Sequence, residues 1–204
     1  MSVLKYGIYA EDVVFKSFLE TIVPRLLTKI TPNLSIGLDE IFSTDKKPKD
    51  GISNFLNTFN TVITEGCLDI SDDGYGLNFC VLGLDCDEND LDELKNTIST
   101  MLNESNQTNC AVICIARKSI EFWMWYCNEE KSENPSAINI YDLYNNQTMK
   151  SAIYGRKRSG QKGVTYAANF ANEVGIDYLR QKSASFEAFF QAFKTFIDNQ
   201  NQEK

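Results

Sequence analysis

The sequence predicts an α/β fold with a mainly parallel sheet, flanking helices and a small C-terminal helical extension. Over residues 1–130, short apolar runs typical of strands alternate with longer segments whose apolar residues recur at helical spacing. The run at 77–85 is almost continuously apolar, as expected of a parallel strand buried on both faces. From about residue 134 the chain turns polar and basic. We therefore divide the chain into an α/β core over 1–130 and, over 131–204, a basic loop with C-terminal helices packed on that core.

Four runs predict the strands of the sheet. In chain order they are SVLKYGIYA at 2–10, LSIGLDEIFS at 34–43, LNFCVLGLD at 77–85 and CAVICIA at 110–116. The last run is short and apolar throughout, which is typical of a buried strand. The alternation of these runs with helical segments favours parallel pairing.

Helices are predicted where apolar residues recur with helical periodicity. In chain order they cover 11–30, 52–66, 88–105, 120–130, 164–173 and 185–199. At the start of the first helix, Glu11 and Asp12 stand at the junction with the preceding strand, where acidic residues suit a helix N-terminus. Pro24 lies within the same helical pattern and predicts a kink.

The charge of the chain restricts its binding partners. The net charge is −8, with 20 Lys and Arg residues against 28 Asp and Glu residues. A nucleic-acid binder needs Lys and Arg for its phosphate contacts, so nucleic acid would have to bind a local basic patch. In the alternative, the negative net charge has no functional meaning. Net charge affects solubility and the approach of charged partners more than it affects the fold.

The absence of histidine excludes several kinds of active site. Ser-His-Asp triads, Cys-His dyads and His-rich zinc sites all need an imidazole, so an enzyme here must use carboxylates, Lys, Tyr, Arg or a hard metal ion. The six cysteines form no C-x-x-C pair. Cys86 lies between two acids, which disfavour a reactive thiolate. We therefore expect free thiols in a reducing cytosol.

The sequence predicts a cytoplasmic protein that does not bind membranes. No apolar run approaches the length of a membrane span. The N-terminus also lacks the pattern of a secretory signal peptide.

Acidic residues stand at the carboxyl ends of two predicted strands. Glu11 follows the first strand, and Asp85 and Asp87 follow the apolar run of the third. In an open parallel sheet, ligands bind beyond the carboxyl ends of the strands, and residues two apart in a strand face the same way. Three converging carboxylates repel one another unless a cation neutralises them, and hard oxygen ligands favour Mg²⁺ or Mn²⁺. The pattern predicts a metal site. In the alternative, the acids after the third strand only stabilise the N-terminus of the next helix.

A further acid, Glu121, follows the fourth strand within IARKSIEFWMWY. In a functional interpretation, this residue supplies a fourth carboxylate or orients a water molecule. In the alternative, Glu121 is a surface acid on a helix whose aromatic residues form core. We expect those aromatic residues to be buried, because aromatic side chains mostly contribute buried area. They are Phe122, Trp123, Trp125 and Tyr126.

Basic residues cluster in the segment KSAIYGRKRSGQKG. They are Lys150, Arg156, Lys157, Arg158 and Lys162. Lys and Arg beside Gly and Tyr can hold a phosphate backbone next to a metal ion, so the last four of these residues are predicted to bind DNA or RNA. The alternative is a solvated loop that balances an acidic surface.

These stretches resemble a known group of families. The resemblance rests on GIYAEDVVFKSFLETIVPRLL, VLGLDCDEND, CAVICIARKSIEFWMWY and SAIYGRKRSGQKG. Together they are similar to Toprim-like bacterial families of unassigned function, which are related to the Toprim domains of OLD-type nucleases, topoisomerases and bacterial primases. The similarity extends in order over about residues 3–197 and implies a Toprim fold, which is Rossmann-like in its parallel sheet.

The resemblance also implies roles for particular acids. In the Toprim fold a Glu follows the first strand and an Asp-x-Asp follows the third, which assigns metal binding and catalysis to Glu11, Asp85 and Asp87. The smaller family resembled also carries Arg-x-x-apolar-Glu-x-Trp, matched by Arg117, Glu121 and Trp123; Glu121 is accordingly counted among the catalytic residues.

A second match to the family lies in the basic segment. The family has a Lys-rich stretch near Tyr-Gly, matched by Tyr154, Gly155 and Lys157. Two positions near the first strand depart from the pattern. Asp12 stands where the family usually has Gly, and Phe15 stands where a further acid is usual.

The leading hypothesis is a metal-dependent phosphodiesterase of the nuclease type. Mg²⁺ or Mn²⁺ would activate a water molecule, and basic residues would stabilise charge on the phosphate. The resemblance implies an ATPase protein partner and a role in defence against phage or plasmids. Two alternatives stay open, a non-catalytic partner subunit and a module that binds nucleic acid or nucleotide without cutting. A homo-oligomer is also left open.

Overall fold

The computed structural model describes residues 2–32, 36–43, 55–56, 58, 76–104, 110–131, 140–155 and 160–202. Within these ranges the chain forms a four-stranded sheet flanked by helices. The helix predicted over 52–66 falls largely outside the described residues, although residues 55, 56 and 58 are helical.

All four strands are parallel to their neighbours. They are β1 (Ser2–Ala10), β2 (Ile36–Ser43), β3 (Phe79–Asp85) and β4 (Ala111–Ala116). Their order in the sheet is β2-β1-β3-β4. β1 and β3 therefore lie at the centre of the sheet, and the predicted α/β fold with a parallel sheet is confirmed.

Helices connect the strands and follow the last of them. In the described ranges they are α1 (Val13–Ile30), α2 (Leu91–Glu104), α3 (Ile120–Glu129), α4 (Ile140–Leu143), α5 (Asn146–Tyr154), α6 (Gly160–Glu173), α7 (Ile176–Lys182) and α8 (Ala184–Gln202). The sequence analysis did not predict α4, α5 and α7, which are too short for a clear helical period. None of the helices in these ranges has both the length and the apolar character needed to cross a membrane.

The first helix begins at Asp12. The Asp12 carboxylate accepts hydrogen bonds of 2.8 Å from the main-chain N–H groups of Val14 and Phe15, which have no partner inside the helix. Asp12 is therefore the N-cap of α1. The helix continues through Pro24, which is exposed. Its buried apolar residues recur at three and four positions and face the sheet.

Side chains of the central strands alternate between two hydrophobic clusters, one on each face of the sheet. On one face, Val81 packs in a cluster that also includes residues of α1, α3 and α8. On the other face, Leu82 packs with Leu94 and Ile98 of α2. Every residue of β3 is buried, as the sequence predicts for a strand covered on both faces. The described cysteines form no disulfide.

Aromatic rings join α3 and α8 to the rest of the core. The fully buried Trp123 ring lies 6.0 Å from the Phe15 ring and 5.2 Å from the Phe186 ring. Phe79, at the start of β3, contacts two further rings of α8. Residues before and after position 130 thereby belong to the same hydrophobic cluster. The predicted burial of the α3 aromatic residues is confirmed, with Trp125 partly exposed.

Gly83 lets α1 lie directly on β3. A Cβ atom at this position would stand 2.5 Å from Leu19 Cδ1 and 2.9 Å from Phe15 Cδ1. We expect Gly83→Ala to destabilise the protein and Gly83→Val to do so more strongly, by about 1–3 kcal/mol, because overpacking displaces side chains and backbone. Urea unfolding measures both changes. In a Leu19→Ala background the penalty of Gly83→Ala should shrink, and an unchanged penalty would contradict this packing.

Candidate functional site

Glu11 joins the carboxyl ends of the two central strands. Its main-chain N–H donates to the Gly83 carbonyl at 2.8 Å, and its Oε2 accepts a 3.0 Å hydrogen bond from the Asp85 N–H. Ala10 lies opposite Gly83 in the parallel register, so the chain leaving β1 passes beside the end of β3. The fold therefore brings Glu11 and Asp85 into direct contact.

Asp85 is the last residue of β3 and is 7% exposed. Its Oδ1 accepts a 2.7 Å hydrogen bond from the Ile120 N–H, in the first turn of α3. Ser119, which precedes that helix, makes no capping hydrogen bond with its own side chain. Asp85, on the neighbouring strand, thus supplies a hydrogen-bond acceptor to the N-terminus of α3. The helix dipole favours a negative charge at that N-terminus.

Asp87 lies outside the strand. β3 ends at Asp85, and Asp87 adopts a left-handed backbone conformation with φ of 51°. The expectation that the two aspartates face the same way as strand residues is therefore wrong. The Asp87 N–H donates to the Lys118 carbonyl at 2.7 Å, and Lys118 is itself left-handed, with φ of 63°. Asp87 Oδ1 accepts a 2.7 Å hydrogen bond from Asn146 Nδ2 of α5.

Glu121 stands in the first turn of α3 and is only 1% exposed. It is therefore not the surface acid of the alternative interpretation. Its negative charge is close enough to Asp85 to raise the pKa of that carboxyl. The site thus contains a second buried acid beside Asp85, at the carboxyl end of β4.

Burial dominates the electrostatics of the site. Desolvation raises the pKa of Glu11 to about 7, and the charges of Asp87 and Asp12 add to this, while the hydrogen bond from the Asp85 N–H opposes it. Desolvation also raises the pKa of Asp85 well above its usual range, followed by the charges of Glu121 and Glu11. Closely spaced buried carboxyls favour their protonated forms when no cation compensates them.

Lys150 is the cation that acts on both carboxyls. Its charge lowers the pKa of Glu11 and of Asp85, against the effect of burial. From the sequence, Lys150 is predicted only as a member of the basic segment, and Asn146 has no predicted role. Asn145 and Thr148 form a capping box at the start of α5. This pair is the sequence signal that would have placed both Asn146 and Lys150 on one helix.

Of the four residues predicted to bind nucleic acid, Lys162 lies in the described part of the chain. Arg156, Lys157 and Arg158 lie outside the described residues. Lys162 lies on α6, where its Nζ donates to the Tyr154 carbonyl at 3.2 Å. Lys162 Nζ also lies 5.2 Å from the centroid of the Tyr166 ring, within cation–π range.

Among the described residues, the strand-end site contains oxygen donors of the kinds that a hard cation binds, but they are not arranged around one point. Within the described ranges, no three His, Cys, Asp or Glu side chains converge closely enough to hold one metal ion. Glu11 Oε2 and Asp85 Oδ1 face main-chain donors instead. Asn146 Oδ1 is buried and has no hydrogen-bond partner among the described residues. Ionised carboxylates and neutral amide oxygens are ligand types that Mg²⁺ or Mn²⁺ prefers.

Comparisons of the chain with family models, with curated proteins and with solved structures give no match.

The raised pKa of Glu11 predicts a pH-dependent stability. The folded chain binds this proton more tightly than the unfolded chain, so the stabilisation is fully present below about pH 4.5 and is lost as the pH rises through about 7. We expect Glu11→Gln to reduce the fall in the free energy of unfolding over this interval, measured by urea unfolding at successive pH values. Glu93→Gln, at an exposed position of α2, is the control. Equal pH slopes for Glu11→Gln and the natural chain would contradict the burial of a protonated Glu11.

Proposed function

We propose that this protein is a metal-dependent, phosphodiester-cleaving protein of the nuclease type, related to the Toprim-like families. The observation that carries the proposal is the contact between partly buried Glu11 and buried Asp85 at the carboxyl ends of the two central parallel strands, where the Glu11 carboxylate accepts a hydrogen bond from the Asp85 main-chain N–H. This edge is where open α/β sheets bind ligands. The raised pKa of both acids supports the proposal, because a bound cation would offset the desolvation, and the smaller repulsion from neighbouring acids, that raise each pKa.

Glu11, Asp85 and Asp87 would hold Mg²⁺ or Mn²⁺ once their carboxylates move together around the ion, which would supply charge to polarise a phosphate and to activate water. Glu121, whose charge acts on Asp85, would supply a fourth carboxylate or orient a water molecule. Metal binding requires ionised carboxylates, so loading releases the proton that burial keeps on Glu11 near neutral pH.

The cationic side chains would act on the substrate phosphate. Lys150 already lies close enough to Glu11 and Asp85 to alter the pKa of each. In this position its ammonium group would stabilise negative charge that develops on the phosphate. Arg156, Lys157, Arg158 and Lys162 would hold the DNA or RNA backbone.

Both departures from the family pattern have a structural role. Asp12 caps α1 through two hydrogen bonds. Phe15 is fully buried and packs against Trp123. The proposed chemistry therefore depends on Glu11, Asp85 and Asp87, without a further acid on α1.

A non-catalytic binding module is the second candidate. The observation that favours it is that Glu11 Oε2 and Asp85 Oδ1 both accept hydrogen bonds from main-chain N–H groups. In this alternative the acids only join the strand ends. An ATPase partner, a role in defence against phage or plasmids, and a cytoplasmic location belong to the proposal through the Toprim-like resemblance.

Metal-dependent cutting tests the proposal. Purified protein should cleave plasmid, single-stranded DNA or RNA with Mg²⁺ or Mn²⁺ and should lose this activity in EDTA. We expect Asp85→Asn, which keeps the shape of the side chain, to reduce cutting by about 10²-fold or more, as loss of a group that stabilises transition-state charge does. Glu93→Gln is the control. A folded protein that cuts none of these substrates with either metal would favour the binding module.

Lys150 is expected to affect both rate and pH dependence. Lys150→Gln removes the charge that lowers the pKa of Glu11 and Asp85, so metal-dependent cutting should weaken by about 10²-fold and its pH profile should move to higher pH. Lys150→Arg retains the charge and should keep the pH profile of the natural chain. A pH profile that stays in place in Lys150→Gln would show that Lys150 does not act on these carboxyls.

A further inference from the structure

Asn146 lies beside the strand-end acids and is not one of the predicted metal ligands. It is the first residue of α5, and its Nδ2 donates a 2.7 Å hydrogen bond to Asp87 Oδ1. An ionised carboxylate only accepts hydrogen bonds, so this contact fixes which end of the amide faces Asp87. The other end, Oδ1, is buried and has no hydrogen-bond partner among the described residues. Buried polar atoms of folded proteins almost always have a partner, so Asn146 Oδ1 is an acceptor available to a bound group.

Covalent geometry holds this amide oxygen close to Asp87. The oxygen and nitrogen of one amide group are about 2.3 Å apart, so Asn146 Oδ1 lies within about 5 Å of Asp87 Oδ1. Oxygen ligands that bind one Mg²⁺ ion at about 2.1 Å in octahedral geometry stand about 3–4 Å from one another. A small rotation of either side chain therefore lets Asp87 and Asn146 bind the same ion.

The helix α5 presents the same side to the other acids. Lys150 follows Asn146 by four residues on α5, so both residues lie on one side of the helix. The charge of Lys150 lowers the pKa of Glu11 and of Asp85. The capping box that begins α5 fixes the backbone of its first turn. The helix therefore holds Asn146 toward the group of acids on which Lys150 acts.

A second buried oxygen without a partner among the described residues belongs to Ser119, which precedes α3. Ser119 is 0% exposed, and its Oγ makes no hydrogen bond within the described ranges. Its two neighbours in the chain bind the aspartates through their main chain. The preceding carbonyl accepts from the Asp87 N–H, and the following N–H donates to Asp85 Oδ1. Neutral oxygens on two different elements thus adjoin the contacts that hold Asp85 and Asp87, and these surroundings suit a polar ligand.

The balance of charge favours a neutral ligand beside these acids. The proposed site contains four acids, Glu11, Asp85, Asp87 and Glu121, whose negative charge exceeds that of one divalent ion. Their carboxylates alone do not surround an ion, because no three acidic side chains of the described ranges converge on one point. An amide oxygen adds a ligand to an octahedral shell without adding to the excess of negative charge. Asn146 Oδ1 has the chemistry that this position requires.

We propose that Asn146 is a further ligand of the divalent cation, which it binds through Oδ1 while Nδ2 keeps Asp87 in place. The inference rests on the proposed metal-dependent function and adds a ligand from α5 to the acids at the strand ends. In the competing role, Asn146 only holds Asp87, and its Oδ1 accepts a hydrogen bond from water. The two roles differ in what the side chain at position 146 must supply, an oxygen to the ion or an N–H group to Asp87.

Calorimetric titration of the full chain with Mn²⁺ alone tests the ligand role without a substrate. Asn146→Ala removes both ends of the amide and should weaken Mn²⁺ binding by about 10- to 100-fold. Asn146→Asp cannot donate to Asp87 but retains an oxygen, so its affinity for Mn²⁺ should equal or exceed that of the natural chain, because added ligand charge strengthens the binding of a hard cation. Gln147→Glu adds the same charge at the exposed neighbouring position and should leave the affinity unchanged. Binding as weak in Asn146→Asp as in Asn146→Ala would overturn the proposal.

Asn146→Cys tests the same role through the choice of metal. Thiolates favour Zn²⁺, whereas Mn²⁺ prefers oxygen ligands. The ratio of Zn²⁺ affinity to Mn²⁺ affinity should therefore rise by about 10-fold or more in Asn146→Cys. Gln147→Cys places an exposed thiol on the same turn of α5 and should keep the ratio of the natural chain. Circular dichroism should show that every variant is folded, and an unchanged ratio in a folded Asn146→Cys would overturn the proposal.

The outcomes separate this inference from the function on which it rests. Mn²⁺ binding that Asp85→Asn weakens but Asn146→Ala leaves unchanged would overturn the ligand role of Asn146 alone, and metal-dependent cutting would still stand. A natural chain that binds no Mn²⁺ and cuts no substrate would overturn both the ligand role and the proposed function.

Discussion

The hydrogen bond from the Asp85 N–H to the Glu11 carboxylate ties the two central strands together where both end. With the second bond, from the Glu11 N–H to the Gly83 carbonyl, it sets the direction in which the chain leaves β1. Asp12 then caps α1, and the missing side chain of Gly83 lets α1 lie flat on β3. The position of the main helix and the position of the acids therefore depend on the same strand-end contact.

This contact holds the carboxyl groups of Glu11 and Asp85 where solvent is reduced. Main-chain N–H dipoles partly compensate the lost hydration of these carboxyls. Main-chain N–H groups of Asp85 and of α3 point at the two carboxylates, and Lys150 supplies a positive charge nearby. These groups do not fully offset burial, because the pKa of both acids remains raised.

The left-handed residues Asp87 and Lys118 connect the site to the rest of the chain. Such a conformation is unfavourable for residues other than glycine, and here the Asp87 N–H donates to the Lys118 carbonyl. Lys118 Nζ donates to the carbonyls of Tyr141 and Tyr144, which holds the segment before α5 in place. Asn146 on α5 then donates to Asp87, and the charge of Lys150 on the same helix acts on Glu11 and Asp85.

The sequence by itself determined the parallel α/β fold, the buried third strand and the acids at the strand ends, because alternation, helical period and apolar runs are local properties. Only the tertiary structure decided that Asp87 leaves the strand, that Glu121 is buried and that the charge of Lys150 acts on Glu11 and Asp85. Each of these depends on contacts between residues far apart in sequence, such as Asp87 with Lys118. The short α4 and α5 place Asn146 and Lys150, and segments of that length have too few residues to reveal a period.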